Sequence, residues 1–155
     1  MAWGRFKSPS ASAFSRLDYQ TRVTNYTITA TTVGAAAELF TDASWTADGV
    51  STYTVEVFAG VAWYQATANY NIYLSLCKGD GTELASLAQL SSSSSSGRAP
   101  IGIQKYFYTP AAGTQTVNVR AYKESGSADG TIEVAAGSGR VVAGVAYIAV
   151  YRGGV

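Results

Sequence analysis

Apolar and polar residues alternate along most of the chain with a period of two. The alternation first appears where Tyr26, Ile28 and Ala30 are interleaved with threonines. It is clearest at residues 70–77, where four apolar side chains share one face of an extended segment. Because successive side chains of a strand point to opposite faces of its sheet, this pattern predicts half-buried β-strands.

Turn signals rich in glycine, serine and aspartate divide the chain at intervals of roughly 8 to 12 residues. The sequence KGDGT at residues 78–82 predicts a hairpin, because its glycines permit the positive φ of a tight turn. Residues 83–90, ELASLAQL, have a spacing that fits either the returning strand or a short helix, and we favour the strand. The pattern predicts an all-β fold, an antiparallel two-sheet jelly-roll-like β-sandwich of eight or nine strands.

Several segments carry more specific predictions. Residues 53–63 and 101–108 each have the pattern of one continuous strand, and the serine run at 91–96 is typical of a polar loop. Residues 140–152 are apolar on both faces, which is typical of a central strand covered on both sides.

The first 17 residues differ from the rest of the chain because they are rich in Ser and Ala and show no strand alternation. We expect an extended N-terminal docking arm at 1–17 and one sandwich domain at 18–155. Exposed aromatic side chains are unfavourable unless they dock on a partner, although a cloning remnant or a frayed tail is the alternative. The predicted partner-binding residues are Trp3, Arg5, Phe6, Lys7, Phe14 and Arg16.

Composition limits the chemistry open to the chain. The sequence contains no histidine, which removes the usual general base of serine and cysteine hydrolases and the commonest transition-metal ligand. Cys77 is the only cysteine, so we expect an inert buried thiol. Asp42, Trp45 and Asp48 are the candidates for a two-carboxylate glycosidase site, but Asp48 precedes Gly49 and fits a turn better. We expect no catalytic residues, no cofactor and no metal.

Charge and hydropathy indicate what kind of partner the chain has. The net charge of +1 favours neither nucleic acid nor a membrane, and no segment has the length of a signal peptide or a membrane span. Charged residues make up only 14% of the chain against roughly 25% in average domains, which suits packing against other subunits. We therefore expect self-association, with a trimer as the favoured state.

The strand-rich sequence, with its Gly-Asp-Gly hairpin at 79–81 and its aromatic last strand VAYIAVYR, resembles the jelly-roll virion proteins of tailed bacteriophages. That group includes capsid decoration, head-fibre and tail-fibre proteins. The resemblance covers residues 20–152 and implies a non-enzymatic structural protein of the virion, assembled in the host cytoplasm. It further implies an oligomer, often a trimer, that docks through its N-terminal segment on another virion protein such as the major capsid protein.

Two other functions remain open from the sequence. A tail-associated carbohydrate- or receptor-binding module would use aromatic rings for stacking, and its candidates are Trp45, Trp63, Tyr64 and Tyr70. The solvent exposure of those rings decides between binding and burial. A small carboxylate enzyme would need two acids about 5 to 10 Å apart in a cleft.

Overall fold

The computed structural model describes residues 15–65, 70–92, 96–126, 129–134 and 145–153. Within these residues, the regular structure is β-strand apart from a 3-10 helix at Val33–Ala35. The twelve strand segments are β1 (Ser15–Arg22), β2 (Tyr26–Ile28), β3 (Ala43–Ala47), β4 (Tyr53–Phe58), β5 (Gly60–Gln65), β6 (Tyr70–Lys78), β7 (Glu83–Ser92), β8 (Ser96–Ile101), β9 (Gln104–Tyr108), β10 (Gly113–Lys123), β11 (Gly130–Glu133) and β12 (Ala146–Arg152).

The strands form three four-stranded sheets whose described pairings are all antiparallel. Sheet A has the order β1-β12-β4-β9, sheet B the order β2-β11-β5-β8, and sheet C the order β3-β10-β6-β7. Each strand of sheet A is next in sequence to the strand that has the same position in sheet B. The pairs are β1 with β2, β12 with β11, β4 with β5, and β9 with β8. Sheets A and B are therefore the two halves of one bent layer, and sheet C is the other layer.

Counted as passes across the molecule, the twelve segments reduce to eight. In this count, each segment of sheet A is taken together with the segment at the matching position in sheet B, and the other four segments form sheet C. β11 and β12 are counted together by position, because residues 135–144 between them lie outside the described part. Eight antiparallel passes in two layers with this order are the arrangement of a jelly roll. The predicted all-β jelly-roll-like sandwich is confirmed, but the twelve described strand segments exceed the predicted count of eight or nine.

Two segments predicted as continuous strands are in fact broken at the bend between sheets A and B. The segment 53–63 divides into β4 and β5 at Gly60, whose φ is +82°. A Cβ atom at Gly60 would lie 2.6 Å from the carbonyl oxygen of Glu133, so glycine permits both the bend and the close approach of the neighbouring strand β11. The segment 101–108 divides in the same way between β8 and β9.

The choice between strand and helix at 83–90 resolves in favour of the strand, because these residues lie in β7. The predicted hairpin precedes β7: the Lys78 amide donates to the Thr82 carbonyl oxygen at 2.8 Å, and the Gly81 amide donates to that of Lys78 at 2.8 Å. The serine run is shorter as a loop than predicted. β7 continues to Ser92 and β8 begins at Ser96, while residues 93–95 lie outside the described part.

At its N-terminal end, sheet A begins earlier than the predicted boundary at residue 18. β1 starts at Ser15, and Ser15 and Arg16 pair with Arg152 and Tyr151 of β12. These residues are therefore strand and not arm. The other predicted arm residues, at positions 1–14, lie outside the described residues.

The core lies between the bent layer and sheet C. Val55 and Val57 of β4 and Ile148 of β12 face sheet C, where Leu74 and Val119 are among their counterparts, and all five are buried. β12 lies between β1 and β4, so the prediction that the last strand is central is correct. In the described residues, no helix has the length and apolar character needed to cross a membrane.

Candidate functional site

The outer face of sheet A, which points away from the core, carries an unusual number of aromatic side chains. Its residues are fixed by strand register, because the residues that pair across neighbouring strands point to the same face. Phe58 pairs with Tyr147, Ala149 pairs with both Tyr19 and Glu56, and Thr54 pairs with both Tyr151 and Phe107. We call the set Tyr19, Phe58, Phe107, Tyr147 and Tyr151 the aromatic surface.

Three rings of the aromatic surface contact one another, and the surface remains partly open to solvent. Tyr147 lies at the centre, with ring centroids 5.5 Å from Tyr19 and 6.0 Å from Phe58. Tyr19 is 40% exposed and Phe107 is 48% exposed. Ala149 of the central strand is nevertheless buried, because the larger side chains of neighbouring strands cover it. The outer side of β12 is thus covered by side chains of its own sheet.

The charged groups on this face are paired within it. The Tyr147 hydroxyl donates to Glu56 Oε1 at 2.7 Å, and Lys105 Nζ lies 3.2 Å from Glu56 Oε2. Partial burial, followed by the hydrogen bond to Glu56, raises the pKa of Tyr147 to about 12, so its hydroxyl remains a donor at neutral pH. Because Glu56 is matched by Lys105, covering this face leaves no unpaired carboxylate.

Of the predicted partner-binding residues, Arg16 is the one that the structure describes, and it lies at the edge of this face. Its guanidinium carbon is 4.8 Å from the centroid of the Tyr19 ring, within the range of a cation–π contact. The other predicted partner-binding residues, Trp3, Arg5, Phe6, Lys7 and Phe14, lie outside the described residues.

The prediction that Trp45 stacks on a ligand is wrong. Trp45 is 6% exposed and points into the core, where it meets Tyr108 edge-on with centroids 6.2 Å apart and Tyr53 at 5.8 Å. Trp63 and Tyr64 lie in β5 and Tyr70 begins β6, but their side chains are outside what the structure describes.

The acids considered for glycoside hydrolysis do not form a pair. Asp42 and Asp48 lie beyond opposite ends of β3, which separates their backbones by roughly 20 Å at about 3.3 Å per residue. That separation exceeds the span of a two-carboxylate site. Asp48 accepts hydrogen bonds from the amides of Val50 and Ser51, and the bonds from Ser51 hold the pKa of this carboxyl well below its usual range. Asp48 is the turn residue that the sequence suggests.

Cys77 is fully buried on β6, as predicted from its mid-strand position. Its sulfur lies 3.9 Å from the Ser75 carbonyl oxygen, and burial raises the pKa of the thiol to about 11. The thiolate, which is the reactive form, is therefore disfavoured at neutral pH.

The aromatic surface was not identified from the sequence, although part of its signal was present. The alternation in β4 correctly places Glu56 and Phe58 on the face opposite Val55 and Val57. What was missing is the order of the strands, because Tyr19, Phe107 and Tyr147 come together only through pairing between β1, β12, β4 and β9.

The chain matches no protein-family model and no curated protein. Among solved structures it is similar to the C-terminal domain of EclA, described as a sugar-binding protein, at 18% identity and a TM-score of 0.37, covering 85% of this chain and 89% of that one. It is also similar to a chain of the IBDV viral particle, at 10% identity and a TM-score of 0.46 over 98% of this chain. A third similarity is to the Gt strain of infectious bursal disease virus, at 12% identity and a TM-score of 0.41 over the whole chain.

The chain spans about two fifths of the length of those two viral chains, 39% and 42%. All three TM-scores lie below 0.5, so the functional proposal rests on the residues of this chain alone.

Proposed function

We propose that this chain is a non-enzymatic structural protein of a bacteriophage virion that self-associates through the aromatic surface of sheet A. The observation that carries the proposal is the set of five partly exposed aromatic residues on the outer face of sheet A, three of whose rings contact one another. Aromatic residues are enriched at protein interfaces, and charged residues are depleted at interface centres. The surface satisfies the first condition, and the carboxylate that it contains, Glu56, is neutralised by Lys105 and bonded to Tyr147.

The occupant of this surface is a second copy of the chain. A monomer rarely leaves a contiguous apolar patch of this kind uncovered, and the low charge content of 14% leaves few groups to keep neighbouring copies apart. We expect a trimer. Capsid decoration or stabilisation is the role we assign, with docking of the N-terminal segment on another virion protein such as the major capsid protein.

The test is the oligomeric state of two single variants with matched controls. Phe107→Ser and Tyr19→Ser should each weaken self-association by about tenfold or more, the effect of roughly 1.4 kcal/mol per copy. Val50→Ser and Val23→Ser are the controls, because these valines are 82% and 64% exposed in turns outside the aromatic surface. Sedimentation equilibrium measures the association constants.

Each result bears on the proposal directly. Loss of association in the two aromatic variants, with the valine controls unchanged, supports assembly through sheet A. A wild-type chain that is strictly monomeric at about 50 μM, or equal effects in all four variants, contradicts it.

A further inference from the structure

A cleft with a volume of about 410 Å³ opens in the layer opposite the aromatic surface. One wall is the hairpin between β6 and β7, which contributes Lys78, Gly79 and Asp80. The other wall is the beginning of β10, residues 114–116, and Asp42 lies between the two walls. A cleft of this volume falls within the range of about 300 to 1,000 Å³ that is usual for small-molecule sites.

The walls of the cleft are held together by the backbone. The Gly79 amide donates to the Thr116 carbonyl oxygen at 3.0 Å, which ties the hairpin to β10. A Cβ atom at Gly79 would lie 3.0 Å from the Thr116 side chain, so glycine allows the two walls to approach. Gly81 packs in the same way against Arg120, where a Cβ atom would be 2.9 Å from Nη1. Because the cleft is formed in advance, a ligand does not have to order it.

Two carboxylates, those of Asp42 and Asp80, line this cleft and can accept hydrogen bonds. Asp42 is oriented by the buried Asn118, whose side-chain amide donates to Asp42 Oδ1 at 2.8 Å. The hydrogen bonds that the described residues make to Asp42 end at Oδ1, which leaves Oδ2 available. Asp80 Oδ1 accepts from the Thr82 amide at 2.8 Å, and the hydrogen bonds from Thr82 lower the pKa of Asp80, so it is ionised at neutral pH.

The mixture of charges in the cleft narrows the class of ligand. The two carboxylates repel an anion. The Lys78 ammonium disfavours a divalent cation, and no group of three or more potential metal-ligating side chains occurs in the described parts of the chain. A neutral molecule with many hydroxyl groups matches both kinds of side chain, because each hydroxyl can donate to Asp42 or Asp80 and accept from Lys78.

From the lining and the volume of this cleft, we propose that it binds a neutral sugar ring of the pyranoside class. The hydroxyls of the sugar donate to the free carboxylate oxygens of Asp42 and Asp80, and Lys78 donates to the sugar oxygens. The site is separate from the aromatic surface, because it lies on sheet C and the aromatic surface on sheet A. Sugar binding and self-association can therefore each fail without the other.

The experiment uses the full chain and a panel of methyl pyranosides of glucose, galactose, mannose and N-acetylglucosamine. Saturation-transfer NMR identifies a bound member, and calorimetry gives its Kd, which we expect to be about millimolar for a small open site. Asp42→Asn and Asp80→Asn should each weaken that binding about tenfold, since each removes a hydrogen bond to a charged acceptor. Glu124→Gln is the matched control, because it removes one carboxylate just after β10 and outside the cleft.

The binding and stability of the variants together decide whether the cleft is a sugar site. Weaker binding in the two cleft variants, with unchanged thermal midpoints and unchanged binding by Glu124→Gln, supports the sugar site. Lys78→Met provides a second measurement if either aspartate variant fails to fold, and it should also weaken sugar binding. The proposal is overturned if no pyranoside binds at about 10 mM, if all variants bind equally, or if calcium chloride alone occupies the cleft.

Discussion

An aromatic residue in a β-strand contributes to the core or to a surface according to the face on which its strand places it. Trp45 and Phe107 show the two cases. Trp45 alternates with exposed residues of β3, lies on the inner face and is buried, whereas Phe107 alternates with core-packed tyrosines of β9 and is 48% exposed. Amino-acid composition alone does not distinguish the buried residue from the exposed one. The ligand-stacking prediction for Trp45 failed because the sequence does not say which side of β3 meets the second layer.

Cys77 gives the prediction that belongs to a single side chain. The thiol is fully buried and its pKa is about 11, against 9.0 for a free thiol. Native protein at pH 8 should therefore fail to react with a soluble thiol reagent, and urea-unfolded protein should react completely. Cys77→Ser should cost about 1 to 2 kcal/mol in the free energy of unfolding, because it buries a hydroxyl in place of a thiol, and should leave self-association unchanged.

The pH dependence of stability follows from the same shift. Because the folded-state pKa of Cys77 is raised, the contribution of the protonated thiol is fully present below about pH 9 and is lost as the pH rises towards 11. Urea unfolding of the wild type and of Cys77→Ser at pH 8 and pH 10.5 measures the difference. Rapid labelling of the native protein at pH 8 would contradict the buried, inert thiol.

At the scale of the element, the strands themselves were predictable and the bends were not. The period-two alternation identified β4, β6 and β10, because one face of each packs on the core and the other does not. The bends at Gly60 and between β8 and β9 do not interrupt that alternation enough to be visible. The bend at Gly60 depends on the neighbouring strand β11, since the close approach there is made by Glu133, which is far away in the sequence.

Gly60 is the position where this bend can be tested. Gly60 and Gly126 have nearly the same backbone conformation, with φ of +82° and +83°, but no described atom lies within 4 Å of a Cβ at Gly126. Gly126→Ala should therefore cost only the strain of a positive φ, about 1 kcal/mol. Gly60→Ala adds a clash with the backbone oxygen of Glu133 at 2.6 Å and should cost about 3 kcal/mol or more.

Chemical denaturation of the two alanine variants measures both losses under the same conditions. The difference between the variants isolates the close approach, because the positive φ is common to both. Equal losses in the free energy of unfolding would show that strand β11 can move away from β5 at little energetic cost. The bend would then not depend on this contact.

At the scale of the whole molecule, the two layers present different surfaces on opposite sides. Sheet A carries the aromatic surface, in which charges are paired, and sheet C carries the polar cleft lined by Asp42 and Asp80. The all-β class and the jelly-roll arrangement follow from alternation and turn spacing, which are local properties of the sequence. The two surfaces do not, because each combines residues that are far apart in the sequence and are brought together by the pairing of strands.

The N-terminal segment gives the prediction that concerns the molecule as a part of a larger assembly. β1 begins at Ser15 and pairs with β12 from its first residue, so a truncation that preserves sheet A must start at Ser15 and not at Asp18. A protein lacking residues 1–14 should keep its thermal midpoint within a few degrees, because the paired strand is intact. The same protein should lose attachment to virion shells that lack the endogenous protein, since Trp3, Phe6 and Phe14 are removed.

The design contains its own control, because a truncation starting at Asp18 removes three residues of β1 as well as the segment before it. That variant should lose both attachment and stability, whereas the truncation at Ser15 should lose attachment alone. In the full-length protein, the contribution of Arg5 and Lys7 to attachment should weaken as salt is raised, because exposed charges are screened, while the contribution of the aromatic residues should persist. Equal attachment by the full chain and the Ser15 truncation would assign docking to the faces and loops of the sandwich instead.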